Sequence, residues 1–339
     1  MERLIYENIE VHNAAELLPG ESGGAIWLRY PSSVCKTFER DGARIQAGNS
    51  TGVELRFIMK SDVVEIKLRS KGNGRFHIFR GGLQGGWYDQ GKITSADGTV
   101  IRIERKEQET IDRVHKDFAL PWDPSLIRIV FDGGRFEILD VVGEIAAPAA
   151  GQTPEKTILF YGSSITHGSN SLSATNNWTS WVAHGLSMDF LNKGLAGSCC
   201  MEDETVSYLG ALGCEGAWDV AVLELGINVL SYDADLRRAR VENTLLKIAA
   251  ENPEKPVFVI SPFYSNEDYV GGERAAAWRE TIRSVVEERA YQNVTYVPGD
   301  SILGGMDLIS SDCVHPSAYG VAQIADRLLP IMKRVLEKN

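Results

Sequence analysis

The stretch Thr157-Ile-Leu-Phe-Tyr-Gly-Ser-Ser-Ile-Thr-His-Gly168 decides the fold. A short, almost wholly apolar run that ends at a glycine predicts a strand buried on both faces, followed by a tight turn into a helix. Towards the C-terminus the same unit recurs. Strands are expected at Phe190-Leu-Asn, Val220-Ala-Val-Leu-Glu-Leu, Val257-Phe-Val-Ile and Val294-Thr-Tyr-Val. Helices are expected around 178–188, 202–212, 234–250 and 272–290, with a last one beginning at Pro316, whose fixed φ and missing N–H suit a first turn. Strand-helix alternation of this kind predicts α/β architecture, a flavodoxin-like three-layer parallel sheet with helices on both faces.

Towards the N-terminus the pattern changes. Gly52-Val-Glu-Leu-Arg-Phe-Ile-Met, Val63-Val-Glu-Ile-Lys-Leu-Arg, Arg75-Phe-His-Ile-Phe-Arg and Leu126-Ile-Arg-Ile-Val-Phe alternate with period two, as half-buried strands do. Lys71-Gly-Asn-Gly, Ala96-Asp-Gly and Asp132-Gly-Gly read as the turns between them, and no amphipathic helix of useful length is visible. An antiparallel β-sandwich of jelly-roll type is expected. The small residues and prolines of Ala146-Ala-Pro-Ala-Ala-Gly-Gln-Thr-Pro mark a connection, placing one domain at 1–152 and a second at 153–339.

The formal net charge of -11 argues against nucleic acid and anionic membrane as partners, because both are bound through Lys and Arg. The first residues carry neither a basic stretch nor an apolar one, and no run is long enough to span a bilayer, so a cytoplasmic location is expected. Five cysteines without a CxxC pair suggest no disulfide framework and no structural zinc. Whether the chain forms a homo-oligomer is left open.

In a doubly wound sheet the chemistry gathers at the carboxyl ends of the strands. Four segments fall there: Gly162-Ser-Ser-Ile-Thr-His-Gly168, Gly194-Leu-Ala-Gly-Ser198, Gly226-Ile-Asn228 and Asp312-Cys-Val-His-Pro316. Asp312 and His315 are close enough for a carboxylate to hold one imidazole nitrogen while the other faces a hydroxyl. Ser164, at a strand-to-helix turn with N–H dipoles directed at developing charge, is the candidate nucleophile. The backbone N–H of Gly197 and the carboxamide of Asn228 are candidate oxyanion donors beside the N–H of Ser164. No metal or organic cofactor is called for.

These segments resemble, in order and spacing, sequence blocks one, two, three and five of the SGNH (GDSL-like) hydrolases, over residues from about 157 to 337. The resemblance implies a Ser164, His315 and Asp312 triad, an oxyanion hole of Ser164, Gly197 and Asn228, and a serine esterase. Ser163 and Val229 stand where the family most often has aspartate, which weakens the match without touching a reacting group. Gly-Ser-Ser-Ile-Thr and the preceding β-sandwich resemble the branch that includes carbohydrate esterases. A small acylated carbohydrate, above all an acetylated one, is the substrate this implies. Acyl transfer to an alcohol, thioester hydrolysis and inactive glycan binding are the competing functions.

Other residues have ordinary readings beside functional ones. His167 could compete as base or touch substrate, but has no carboxylate beside it in sequence. Asp312, Cys313 and His315 lack the third, well-spaced ligand a zinc site needs. Cys199 and Cys200 read as small core residues rather than nucleophiles. Trp178 reads as a core aromatic that could line an acyl pocket, and Trp87, Tyr88 and Trp122 as packing residues that could stack on sugar rings.

Overall fold

Two strands, Val63–Arg80 and Leu126–Val142, run antiparallel along nearly their whole length and organise the N-terminal half of the chain. A computed structural model describes residues 3–93 and 97–338. The glycine-rich sites Lys71-Gly-Asn-Gly and Asp132-Gly-Gly, expected to reverse the chain, lie inside these strands and face one another, with a register shift between Gly133 and Arg135. An extra residue that can take positive φ is absorbed as a bulge, which bends and twists a pair of strands instead of ending it. The third expected turn includes Ala96, which lies outside the described residues.

Bent in this way, Leu126–Val142 pairs with Glu54–Met59 through its first residues and with Ala25–Leu28 through Glu137 and Ile138. The result, among the described residues, is one 11-stranded antiparallel sheet, curled like a sandwich around Trp27, Leu55, Phe57, Ile66, Leu68, Ile129 and Phe131. A helix, Glu109–Asp117, stands where none was expected. Its buried residue is His115, whose ring takes the Gly82 N–H at 2.9 Å and bonds the Ile111 carbonyl at 2.8 Å. The nine residues of this helix are mostly charged, with Ile111 and Val114 as the aliphatic ones, and so short an apolar stripe is easily passed over in a sequence.

The parallel sheet comprises Thr157–Tyr161, Asp189–Asn192, Val220–Glu224, Val257–Ile260 and Val294–Val297, in spatial order 2-1-3-4-5. Ile158 and Phe160 pack into one helical layer, Leu159 and Tyr161 into the other, which is why the strands read as apolar runs. Helices form in each expected interval: Trp178–Gly185, Asp203–Cys214, Ala234–Leu245, Arg274–Arg289 and, last, Ala318–Leu336. The last one is capped by Ser317, whose side chain accepts from the Gly320 N–H, so Pro316 precedes the helix rather than opening it. Strand order reverses beside Thr157–Tyr161, and the crevice such a reversal creates opens at the end that carries Ser164. Among the described residues no helix is long and apolar enough to cross a membrane.

The two halves share structure. The short helices Ser32–Cys35 and Asp41–Ala47 leave the curled sheet, and Val34, Phe38, Ala43 and Ala47 enter the core beneath the parallel sheet with Leu159, Tyr161 and Cys199. Arg56 grips Asp189 with two bonds of 2.7 and 2.8 Å, while Glu54 accepts from both Arg56 and Arg128. Trp122 lies flat under this cluster, 3.6 Å from the Arg128 guanidinium, so its face is already taken by a cation.

Arg29 is fully buried and spends its donors on the carbonyls of Asn49, Gln46, Asn192 and Gly194. Burial lowers its pKa only to about 10, so it keeps its charge at neutral pH. In return the equally buried Lys193 donates to the carbonyls of Asn13 at 3.0 Å and Arg29 at 2.5 Å.

Candidate active site

Ser164 begins a helix of only four residues, Ser164–His167, directly after the first parallel strand. A helix this short has little dipole, so individual N–H groups must do what was expected of it. The turn is held from below. Ser163 caps the helix, accepting from the Ile165 N–H at 3.1 Å and donating its own hydroxyl to Glu224 at 2.6 Å. The same Glu224 oxygen accepts from the Ser163 N–H at 2.8 Å and the Thr166 hydroxyl at 3.1 Å. A serine at position 163, unlike an aspartate, sets no second carboxylate against the buried one.

From the side, the turn lies against Gly194, where a Cβ would come within 2.4 Å of the His167 backbone nitrogen. Only glycine allows the loop after the second strand to approach so closely. Asn177 and Asn192 both donate to the Thr166 carbonyl, at 2.8 and 2.9 Å, and close the frame.

Residues 151 positions apart then meet. His315 Nε2 lies 2.7 Å from Ser164 Oγ, and its Nδ1 lies 2.8 Å from Asp312 Oδ2. Asp312 Oδ1 accepts from the N–H groups of Val314 and His315, both at 3.0 Å, while Asn170 donates to Oδ2 at 2.6 Å. Burial works to raise this carboxyl, but the bonds from the His315 and Val314 N–H groups and from the imidazole outweigh it and hold the pKa down to about 2. Cys313 takes a φ of 63° between them, which lets the chain fold back so that one carboxylate oxygen meets two successive N–H groups.

On the opposite side, Gly197 has a φ of 68°, and among the described residues its N–H makes no hydrogen bond. Asn228 uses its side-chain oxygen to accept from the Cys199 N–H at 3.0 Å. A carboxamide fixed through its oxygen is left with its nitrogen as the free donor. Serine, imidazole, carboxylate and donor groups from separate loops are thereby gathered at one edge of the sheet, the arrangement that acyl transfer by serine requires. Replacing Asn228 by alanine is expected to lower kcat for ester cleavage by about 100- to 1,000-fold with little change in KM. Steady-state kinetics at saturating ester would show it, and an unchanged kcat would remove Asn228 from the site.

Several expected residues lie elsewhere. Trp178 is wholly buried, its ring edge-on to Phe160 and its N–H on the Ile165 carbonyl at 3.0 Å, so it props the turn from inside. His167 is buried as well. Burial, with a smaller contribution from Arg29, lowers its pKa to about 3, which keeps the ring neutral at physiological pH. Cys199 and Cys200 are core residues, and burial raises the pKa of both thiols. Trp87 and Tyr88 form an exposed edge-to-face pair.

Glu224 belongs to the site although the sequence reading passed over it. It is a carboxylate inside an otherwise apolar buried strand, and such a group must find partners, so the signal was present. Burial raises its pKa to about 7, against the pull of the Ser163 and Thr166 donors. The fold therefore holds a proton that the unfolded chain releases near pH 4.5, and stability falls as pH rises from there through 7. Glu224→Gln should abolish this dependence, so its stability relative to wild type should climb by about 3 kcal/mol between pH 4.5 and 8. Urea unfolding across that window provides the measurement, and a flat difference would show that Glu224 does not titrate there.

Comparison with known proteins adds the following. Residues 160–323 match the model of the GDSL-like Lipase/Acylhydrolase family. No curated protein matches the sequence. Among solved structures, the salicylyl-acyltransferase SsfX3 of a tetracycline biosynthetic pathway superposes with a TM-score of 0.79 at 16% identity, covering 98% of this chain and 96% of its own. A family two carbohydrate esterase from Cellvibrio japonicus gives 0.65 at 13% identity, covering 98% and 96%. The acetyl xylan esterase Est2A of Butyrivibrio proteoclasticus gives 0.56 at 13% identity, covering 85% and 92%. At these identities the shared property is the fold, an antiparallel domain followed by the parallel one.

Proposed function

We propose that this chain, whose residues 160–323 match the model of the GDSL-like Lipase/Acylhydrolase family, is a hydrolase that cleaves O-acyl esters of carbohydrates or similar small alcohols. Acetyl is the acyl group we favour. The observation that carries the reading is the imidazole of His315, bonded on one side to Ser164 and on the other to Asp312.

In the reaction, Ser164 Oγ attacks the ester carbonyl as His315 Nε2 takes its proton, and Asp312 stabilises the resulting imidazolium. The carbonyl oxygen becomes an oxyanion received by the N–H groups of Ser164 and Gly197 and the amide of Asn228. The tetrahedral intermediate collapses as His315 returns the proton to the leaving alkoxide, and an acyl-serine is left. Water then attacks the acyl carbon as His315 takes its proton, and the second intermediate collapses as His315 returns that proton to Ser164 Oγ, releasing the acid and the free serine. Neither a metal nor an organic cofactor enters these steps. The carbohydrate preference draws on the likeness to the two carbohydrate-active esterases, which place a comparable antiparallel domain before the same sheet.

A second reading replaces water by an acceptor alcohol, and the fold shared with a salicylyl-acyltransferase favours considering it. One experiment addresses both. The full chain is offered p-nitrophenyl acetate, butyrate and octanoate and a peracetylated xylose, with and without an added acceptor alcohol. The expected result is turnover that falls with acyl length, deacetylation of the sugar, and free acid as the main product. Acyl esters of the acceptor as the main product would establish transfer instead, and no turnover of any ester would overturn the proposal.

A further inference from the structure

The loops that carry Gly197 and Asn228 follow different strands, and a usable oxyanion hole needs both donors at one spacing. Gly197 is exposed, and beyond its chain neighbours no atom among the described residues lies within 4 Å of where its Cβ would be. Its loop is instead bonded to a residue from the other half of the chain. Arg40 Nη1 donates to the Gly197 carbonyl at 2.7 Å, and Nη2 of the same guanidinium donates to the Asn228 carbonyl at 3.1 Å.

The segment that presents Arg40 is itself pinned. Phe38 is buried in the core beneath the parallel sheet. The Glu39 N–H donates to Glu202 at 3.3 Å, and the Glu39 carboxylate accepts from Tyr232 at 3.1 Å and from Arg240. Arg240 in turn donates to the Met201 carbonyl at 3.1 Å, just beyond the Gly197 loop. Arg40 is thus held by the same two loops whose carbonyls it joins.

We propose that Arg40 is a positioning residue for ester cleavage, a planar bridge that fixes the spacing between the Gly197 N–H and the Asn228 amide. This rests on the reading of Ser164 as nucleophile and of Gly197 and Asn228 as its oxyanion donors. A guanidinium offers several N–H groups in a rigid fork and can hold two carbonyls on two loops at once. A lysine ammonium at the same place reaches the carbonyls as a mobile point charge and can hold them only in part. Without the bridge the two loops keep the bond from the Cys199 N–H to the Asn228 side-chain oxygen but lose both ties to their carbonyls, and a displacement of about 1 Å at a reacting centre can cost about 100-fold.

The test compares wild type, Arg40→Ala, Arg40→Lys, Asn228→Ala and the Arg40→Ala/Asn228→Ala double variant on p-nitrophenyl acetate, with Ser164→Ala in parallel and the thermal midpoint of each recorded. The expected result is a kcat about 10- to 100-fold lower in Arg40→Ala, with KM nearly unchanged and partial recovery in Arg40→Lys. The double variant should lose less than the product of the two single losses, because both act on the same donor. A wild-type kcat in Arg40→Ala, a loss confined to KM, or fully multiplicative losses would each overturn the proposal. Should Arg40→Ala fail to fold, Arg40→Lys decides alone, and wild-type kinetics in that variant would overturn it. Persistent activity in Ser164→Ala would instead indict the underlying reading, which keeps the two failures distinct.

Discussion

Ser164→Ala is expected to lower kcat for p-nitrophenyl acetate by about a hundred-thousand- to a million-fold while leaving the thermal midpoint almost unchanged. The size follows from the unit the three groups form. Once the nucleophile is gone, His315 and Asp312 have no serine proton to move, so removing the serine alone costs nearly as much as removing all three. The donors at Gly197 and Asn228 would survive, and a residual rate of about 1,000- to 10,000-fold over water is what such a site retains. Stability should hold because the Ser164 hydroxyl bonds only to His315 among the described side chains, and alanine fits the same helical turn. Undiminished turnover by a folded Ser164→Ala protein would remove Ser164 from the mechanism.

The other large effect concerns stability rather than catalysis. Arg56→Met is expected to destabilise the protein by about 3–5 kcal/mol, read as a fall in the urea midpoint at constant slope. Arg56 and its partners Asp189 and Glu54 are almost fully buried, and the substitution leaves Asp189 with the Phe190 N–H at 2.8 Å and His12 at 3.4 Å but no guanidinium. Glu54 would keep Arg128, so the larger part of the loss falls on Asp189. A paired variant, Arg56→Met with Asp189→Leu, should regain part of the stability, since replacing a whole buried pair by apolar groups is far less costly than halving it. An unchanged midpoint in the single variant would mean that water reaches Asp189 and solvates it.

These two sites also mark how far the sequence could be read. The parallel half was legible because its strands are buried on both faces and so appear as apolar runs, with helices in the intervals between them. Ser164 was legible because it sits just past a strand end, and Asp312 with His315 because a carboxylate and an imidazole three residues apart can bond through a tight turn. Arg56 carried no such mark, since its partner Asp189 is 133 residues away and an arginine in an alternating strand reads as solvent-facing. Arg40 was hidden in the same way, in a Glu-Arg-Asp stretch that resembles any exposed turn. The glycine sites at 71–74 and 132–134 misled for a different reason. Turns and bulges draw on the same backbone freedom, and only the partner strand decides which one forms. For Trp178, nearness in sequence to the nucleophile suggested contact with substrate, whereas its indole is the floor of the turn.

The exchange of Arg29 and Lys193 between the halves bears on how such a protein can change over evolution. Lys193 reaches its acceptors, and Arg29 the carbonyls of Asn192 and Gly194, only when the opposite half is in place, and the Gly194 carbonyl that Arg29 holds belongs to the loop that presses on the nucleophile turn. A gene fragment that encodes the parallel half alone would bury an amine with no acceptors or expose it, and would release the loop that shapes the turn. Recombination would therefore be expected to move the two halves together, and the smallest heritable piece able to carry the activity is the pair.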